Sequence, residues 1–387
     1  MPLANSFLCA EELPRRENFY PLEVLLCEAC GLSQLTEVIP PEKLFKNYIY
    51  VTSTSDMVIR HAQWLADAVV RRFSLTPQDL VVEVASNDGC ILRAFKAAGM
   101  RTFGIEPAEN IAALARGNGI ATLSEFFNSK TADSIRNSKG VAKVIVARHV
   151  FGHVNDLHDF VEGLALLLAD DGVVIIEVPY LADLLERVAY DTIYHEHLSY
   201  FSLNALSTLF ILHRMGIFDT QKIEIHGGSI LVYVRKTSGK YEEMHIVREL
   251  LEKEKFLHLD TRDPYIRFAQ RVGEAKEELC KTLSKLRTAR KKIVGYGAAA
   301  KGNTLLNYCG IDTSALEYIV DKNVLKHNLY TPGTHIPVYP VERITHDQPD
   351  YMLILAWNFA SEIIEQQSRF KKQGGRFIIP VPEVAIV

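Results

Sequence analysis

Cysteine is scarce: only six are scattered over 387 residues. That is no disulfide framework, so a reduced, cytoplasmic chain is expected. Charge of one sign is missing too, with 43 Lys and Arg against 47 Asp and Glu, a net −4. Without a basic block the surface suits neither nucleic acid nor a membrane. No apolar run approaches the roughly 18 residues a spanning helix needs. The opening MPLANSFLCAEELPRREN lacks a basic stretch leading into an apolar one, so no secretory leader is expected. Core-forming residues are not lacking. Hydrophobic residues make up 48% and charged residues 23%, which excludes long disorder and at this length allows two or three domains.

Residues 1–66 mix turn residues and aromatics around one compact feature, Cys27-Glu28-Ala29-Cys30. From Asp79 a regular alternation begins. DLVVEVAS, TFGIEP, AKVIVARHV and VVIIEVPY read as strands; CILRAFKAAG, AENIAALARGNG and NDLHDFVEGLALLLADDG between them read as helices. This predicts a parallel, doubly wound α/β sheet. FDTQKIEIH and SILVYVRK, flanking Gly227-Gly228, add an antiparallel hairpin, an ending typical of class I methyltransferases and open to other folds as well. Residues 240–291, rich in Glu, Lys and Arg at helical spacing, predict a solvated helical connector. A second α/β series opens with KKIVGYGAAAKGNTLLN and continues through LEYIVD, YMLILAW and RFIIPVP. The expected division is therefore 1–66, 67–240 and 241–387.

At the first strand-to-helix corner stands Glu83-Val84-Ala85-Ser86-Asn87-Asp88-Gly89. Ligands of such sheets lie across the carboxyl ends of the strands, where small residues let the backbone approach. The second strand ends in Glu106, about twenty residues on, where a ribose diol would lie. An acidic turn in place of G-x-G-x-x-G suits the cationic amino-acid end of S-adenosylmethionine better than a pyrophosphate. Phe126 and Phe127 are candidates to close over an adenine ring. The segment Tyr190-Asp191-Thr192-Ile193-Tyr194-His195-Glu196-His197 concentrates titratable groups beyond what packing needs. It suggests proton transfer, a metal site with His149 and His153 as further ligands, or a structural polar network.

Taken together, PLANSFL, YPLEVLLCEACGLSQL, YIYVTSTS, EVASNDGCIL, GIEPAENIA, IYHEHLSYFS, HGGS, GYGAAAKGNTLLN and AWNFASEII resemble the sugar-nucleotide C-methyltransferase family, such as the 3-C-methyltransferases of tetronitrose and related branched-sugar biosynthesis. The resemblance covers nearly the whole chain. It implies an N-terminal zinc-binding module, a methyltransferase domain of class I fold and a C-terminal Rossmann-like domain that helps hold the nucleotide sugar. It implies S-adenosylmethionine on Glu83, Ser86, Asn87, Asp88, Gly89 and Glu106. His197 would be the base, Glu196 would orient the imidazole or the substrate, and Tyr194 would donate to the developing oxyanion, with Tyr50 also in the catalytic group. A 4-keto nucleotide sugar, of dTDP type, would meet His149, His153, Tyr48, His195, Ser229, Tyr296, Lys301 and Asn358. Two departures stand out. Family members carry a Cys-x-x-Cys pair upstream of PLAN, and only Cys27 and Cys30 remain here; two thiolates do not close a tetrahedral zinc site. Relatives also carry Arg where Leu231 stands, which removes a cation expected near the substrate. The rival readings are a nicotinamide-dependent nucleotide-sugar oxidoreductase and a catalytically silent methyltransferase-like binding protein.

Overall fold

The computed structural model describes all residues except 47, 225 and 226; His226, in the predicted HGGS turn, lies outside them. The chain opens with a short antiparallel pair, β1 (Val24–Leu26) and β2 (Ser33–Leu35), joined by the turn that carries Cys27 and Cys30. The helix Asp56–Arg72 follows, its N-terminus capped by the Ser55 hydroxyl. The predicted alternation then appears as β3 (Leu80–Val84), β4 (Arg101–Ile105), β5 (Thr122–Leu123), β6 (Ala142–Arg148) and β7 (Leu168–Pro179), all parallel. Next, β8 (Ser199–Tyr200) leaves the series to pair with β2, so the N-terminal segment is stitched to the segment after β7. Then β9 (Met215–Ile223) and β10 (Ser229–Lys236) form the predicted hairpin, with β10 antiparallel to β7. The resulting seven-stranded order is β5-β4-β3-β6-β7-β10-β9.

One boundary differs from expectation. The helix read as running into ADDG stops at Leu167, and β7 starts at Leu168. Leu168 is paired with Ala142 of β6, so sheet pairing overrides the leucine-rich helical pattern.

The helices His245–Phe256 and Asp263–Thr288 make the connector. The second sheet contains parallel β11 (Ile293–Tyr296), β12 (Ile319–Asp321), β13 (Val338–Pro340), β14 (Tyr351–Ile354) and β15 (Arg376–Ile379), with β16 (Ala385–Ile386) antiparallel at the edge. Its order is β13-β12-β11-β14-β15-β16. One apolar cluster runs from Val82 and Ile176 through Leu279 and Leu283 of the long helix to Leu305 and Leu353, so the two sheets share a core. No helix among the described residues is long and apolar enough to cross a membrane.

Strand order reverses between β3 and β6 in the first sheet and between β11 and β14 in the second. Each reversal opens a crevice at the carboxyl ends of the strands. Here both crevices open into one cavity of about 660 Å³, lined by Asn87 and Glu106 on one side and by Lys301 and Asn358 on the other.

Candidate active site

At the first corner the backbone turns through positive φ at Ala85 (55°), Asn87 (50°) and Gly89 (77°). At Gly89 a Cβ would come within 2.9 Å of Ile120, so glycine is required by both backbone and space. Asn87 binds in three directions. Its N–H donates to Glu106 Oε2 (2.9 Å), its Oδ1 accepts from Thr52 N–H (2.8 Å), and its Nδ2 donates to the Tyr50 carbonyl (3.1 Å). Glu106 Oε1 accepts from Ala108 N–H at 3.0 Å. Burial raises the Glu106 pKa while those two N–H donors pull it down. Each oxygen thus keeps a lone pair for a hydroxyl in the cavity.

Of the residues expected to hold S-adenosylmethionine, Asn87, Glu106, Phe126 and Phe127 line the cavity. The other four, Glu83, Ser86, Asp88 and Gly89, are not among the lining residues. Glu83 is a strand residue whose burial raises its carboxyl well above the ordinary range. Ser86 and Asp88 are buried, with Asp88 Oδ2 facing Arg93 at 3.7 Å, and Gly89 serves the turn. Phe127 meets Phe160 edge-on (5.1 Å between centroids), which fixes its ring beside the cavity. The cavity's acidic flank, Glu106, Glu125, Asp156 and Asp159, suits a sulfonium. These residues fit S-adenosylmethionine, which when bound supplies an electrophilic methyl group.

At the other end the HEH segment is split by function. His197 Nδ1 lies 2.7 Å from the Thr192 carbonyl, which can only accept, so Nδ1 carries the proton. Burial, with His153 adding to it, pushes the His197 pKa well below its ordinary value. The ring is therefore neutral, and its bare Nε2 accepts from the Tyr194 hydroxyl at 2.8 Å. His153 lies 4.9 Å from His197, centroid to centroid, and burial holds its pKa down to about 3. Glu196 does not orient that imidazole. Its oxygens accept from Asn5 Nδ2 (2.6 Å) and the Tyr48 hydroxyl (3.0 Å), and burial pushes its pKa to about 7 against those two donors. Asn5, Tyr48, Tyr50, Tyr194, His153 and His197 all line the cavity. Burial lifts the Tyr50 hydroxyl to about 12. His195 is corrected: it points away, its Nε2 donating to the Pro21 carbonyl at 2.9 Å. Ser229 is corrected likewise, fully buried as the first residue of β10 and outside the lining.

His149 sits at the end of β6 with φ 48° and lines the cavity. Its Nε2 donates to Glu177, a buried carboxylate absent from the expected site. Arg148 Nε and Nη2 and His61 Nε2 also donate to it, so four donors at 2.8–2.9 Å fill both oxygens. Burial alone would raise the Glu177 pKa; Arg148 and the two imidazoles hold it well below the ordinary range. Leu231 pairs across the sheet with Glu177 and is fully buried among Val81, Ile175 and Tyr233. Leu231 itself is not among the residues that line the cavity.

On the second sheet, Tyr296, Lys301 and Asn358 line the cavity. Lys301 stands in the first turn of the helix Ala300–Cys309, and burial lowers its pKa while Asp191 raises it. Cys27 and Cys30 are free thiols, and no group of three or more His, Cys, Asp or Glu able to hold a metal occurs among the described residues. The pair alone does not fit zinc, and the metal reading of His149, His153 and HEH finds no set of ligands.

Three family models match. "Methyltransferase domain" covers residues 58–216, "C-methyltransferase C-terminal domain" covers 224–382, and "Putative zinc binding domain" covers 1–45. Solved structures similar to part of the chain include the plantazolicin methyltransferase BpumL (13% identity over 48% of this chain and 86% of that one, TM-score 0.38). The magnesium protoporphyrin IX methyltransferase of Synechocystis PCC 6803 aligns over 47% of this chain and 82% of that one (15% identity, TM-score 0.35). Likenesses this slight add nothing to the assignment. A curated relative is C-methyltransferase NovU of Streptomyces niveus, 38% identical over 386 residues, 100% of this chain and 92% of that protein. With two methyltransferase models and a full-length C-methyltransferase relative on a sheet of this order, the chain belongs to the C-methyltransferase family and is an S-adenosylmethionine-dependent enzyme.

Proposed function

We propose that the enzyme methylates a carbon beside the ketone of a nucleotide-linked 4-keto deoxysugar, of dTDP type, to give a branched-chain sugar. The observation that carries this reading is the neutral His197, whose Nδ1–H is committed to Thr192 and whose Nε2 lone pair meets Tyr194 at the cavity wall. Carbon becomes nucleophilic only after losing a proton, and a ketone next door acidifies that C–H. His197 Nε2 takes the proton while the C–H electrons move onto the carbonyl oxygen. Tyr194 turns its hydroxyl from Nε2 to that oxygen and stabilises the enolate. The enolate carbon then attacks the methyl carbon as the C–S bond breaks and the thioether leaves. Alignment of the three partners supplies much of the acceleration.

The shape of the cavity supports the substrate class. Its acidic flank suits the sulfonium, while Lys301, Lys322 and Lys326 on the second sheet suit a diphosphate. Asn5 and Tyr48, which line the cavity and donate to the buried Glu196, are the residues we give to the sugar. On the division at residues 66 and 240, Asn5 and Tyr48 come from the first part, the acidic flank from the second and the three lysines from the third. The six free cysteines accord with a reducing compartment, and we place the reaction in the cytoplasm.

The test offers 4-keto nucleotide sugars with S-adenosylmethionine in deuterated water. Gain of one methyl mass, with methyl-independent exchange of the adjacent C–H, is expected. Methylation of oxygen or nitrogen, with that C–H retained, refutes the reading.

A further inference from the structure

We propose that Asp191 is a positioning residue: by its hydrogen bond to Trp357 it ties the peptide that holds His197 to the Lys301 end of the cavity. The kinetic arm of this inference rests on the methyl-transfer reading; the spectroscopic arm does not.

Asp191 lies in the 3-10 turn Tyr190–Thr192, fully buried. Its Oδ2 accepts from Trp357 Nε1–H at 2.6 Å, a contact between chain positions 166 residues apart. Trp357 follows β14, immediately before the cavity residue Asn358. The Lys301 ammonium stands 5.2 Å from its ring centroid. The indole is wedged from the opposite sheet as well, since a Cβ on Gly227 would come within 2.9 Å of it.

The residue after Asp191 is Thr192, whose carbonyl accepts His197 Nδ1–H at 2.7 Å and so dictates which imidazole nitrogen is bare. The contacts therefore form one line, Lys301 to Trp357 to Asp191 to Thr192 to His197. A buried carboxylate is costly to keep where an apolar side chain would pack as well. Here the carboxylate acts directionally, since its bond to the indole fixes the turn, and the turn fixes the tautomer. If the turn shifts, the Thr192 carbonyl leaves Nδ1 and the base loses its single orientation. The Tyr194 hydroxyl on Nε2 can either donate or accept, so that contact alone does not choose the tautomer.

The test compares Trp357→Phe, which keeps a ring but removes the N–H, with Asp191→Ala and Asp191→Asn. In Asp191→Asn the amide oxygen still accepts the indole N–H. Trp357→Phe and Asp191→Ala are expected to lower kcat about tenfold or more, the usual scale for a displaced catalytic group. KM for S-adenosylmethionine should change by less than about twofold, and Asp191→Asn should retain kcat within about threefold. In the ligand-free enzyme, nitrogen-15 imidazole spectra should show one His197 tautomer in the wild type and Asp191→Asn, and a mixture in the other two. Equal loss in Asp191→Asn and Asp191→Ala overturns the proposal, as does an unchanged single tautomer in Trp357→Phe. Should Asp191→Ala not fold, Trp357→Phe and Asp191→Asn decide alone. A wild type that methylates no 4-keto sugar refutes the proposed function, while the tautomer spectra still decide this inference.

Discussion

Replacing Glu196 by Gln should stabilise the protein at pH 8 and leave its stability unchanged at pH 4.5. In the unfolded chain Glu196 ionises near its ordinary value of 4.5; in the fold it holds its proton up to about 7, because burial penalises the carboxylate more than Asn5 and Tyr48 compensate it. The sign follows from linkage. This group's stabilising contribution is fully present below pH 4.5, is lost as the pH rises through the window to about 7, and stays lost above. With a gap of about 2.5 pH and about 1.36 kcal/mol for each, the loss is about 3 kcal/mol.

Gln escapes that loss because it has no proton to give up. Its Oε1 keeps the Asn5 Nδ2 bond, and its Nε2 donates to the Tyr48 oxygen where Glu196 Oε2 now accepts. Urea denaturation of both proteins across pH 4.5–8.5 measures the difference, and the other titrating groups cancel between the two curves. The Gln protein should become the more stable by about 3 kcal/mol, the whole gain appearing between pH 4.5 and about 7. A flat difference, or a Gln protein less stable at pH 8, would mean that Asn5 and Tyr48 hold a carboxylate there and that burial does not govern its ionisation.

His197→Asn should lower methyl transfer by about 10²–10⁴-fold and leave S-adenosylmethionine affinity within a few-fold, read by kinetics and calorimetry side by side; full activity would remove His197 from the mechanism. Glu177→Gln should destabilise by about 3–5 kcal/mol, since Arg148 loses the carboxylate that accepts two of its N–H groups; urea midpoints check it, and a neutral effect would show Arg148 compensated elsewhere. Glu106→Ala frees the Asn87 and Ala108 N–H groups and should weaken S-adenosylmethionine binding by about tenfold or more, measured by titration calorimetry; unchanged binding would place the ribose elsewhere.

The α/β alternation was legible because each strand is a short apolar run ending at small or turn residues, and because pairing and periodicity agree. One boundary escaped this reading. ALLLADDG carries a helical pattern, yet Leu168 is held by Ala142 of β6, a partner no local window contains. In the site, Tyr194, Glu196 and His197 were visible as neighbours in sequence, but their partners were not. Asn5 reaches Glu196 across 191 residues and Tyr48 across 148, so the expected Glu196–His197 pairing, natural for adjacent residues, is replaced by two distant ones. The side chains alternate around the loop instead: His195 turns to Pro21 while His197 turns to the cavity. A signal for Glu177 was present, a single carboxylate inside the apolar run VVIIEVPY. A charge buried on a strand must be paired, and the end of the neighbouring strand, Arg148-His149, supplies the partners.

These placements explain why a histidine can serve as base beside so many other ionisable groups. Burial holds His197 and His153 below their ordinary range, Glu196 near 7, and the Tyr48 and Tyr194 hydroxyls well above theirs. Every shift favours the neutral form, so below about pH 7, where Glu196 keeps its proton, the sugar's end of the cavity carries little fixed charge. The fixed charges sit at its flanks, with Arg148 paired to Glu177 on one side and Lys301 facing Asp191 on the other. An enolate formed between them develops its charge where little else screens it, so the Tyr194 hydroxyl and the new imidazolium act on it at their strongest. A charged group inserted at that end, as in Asn5→Asp, would oppose the enolate directly and would also set a second carboxylate against Glu196.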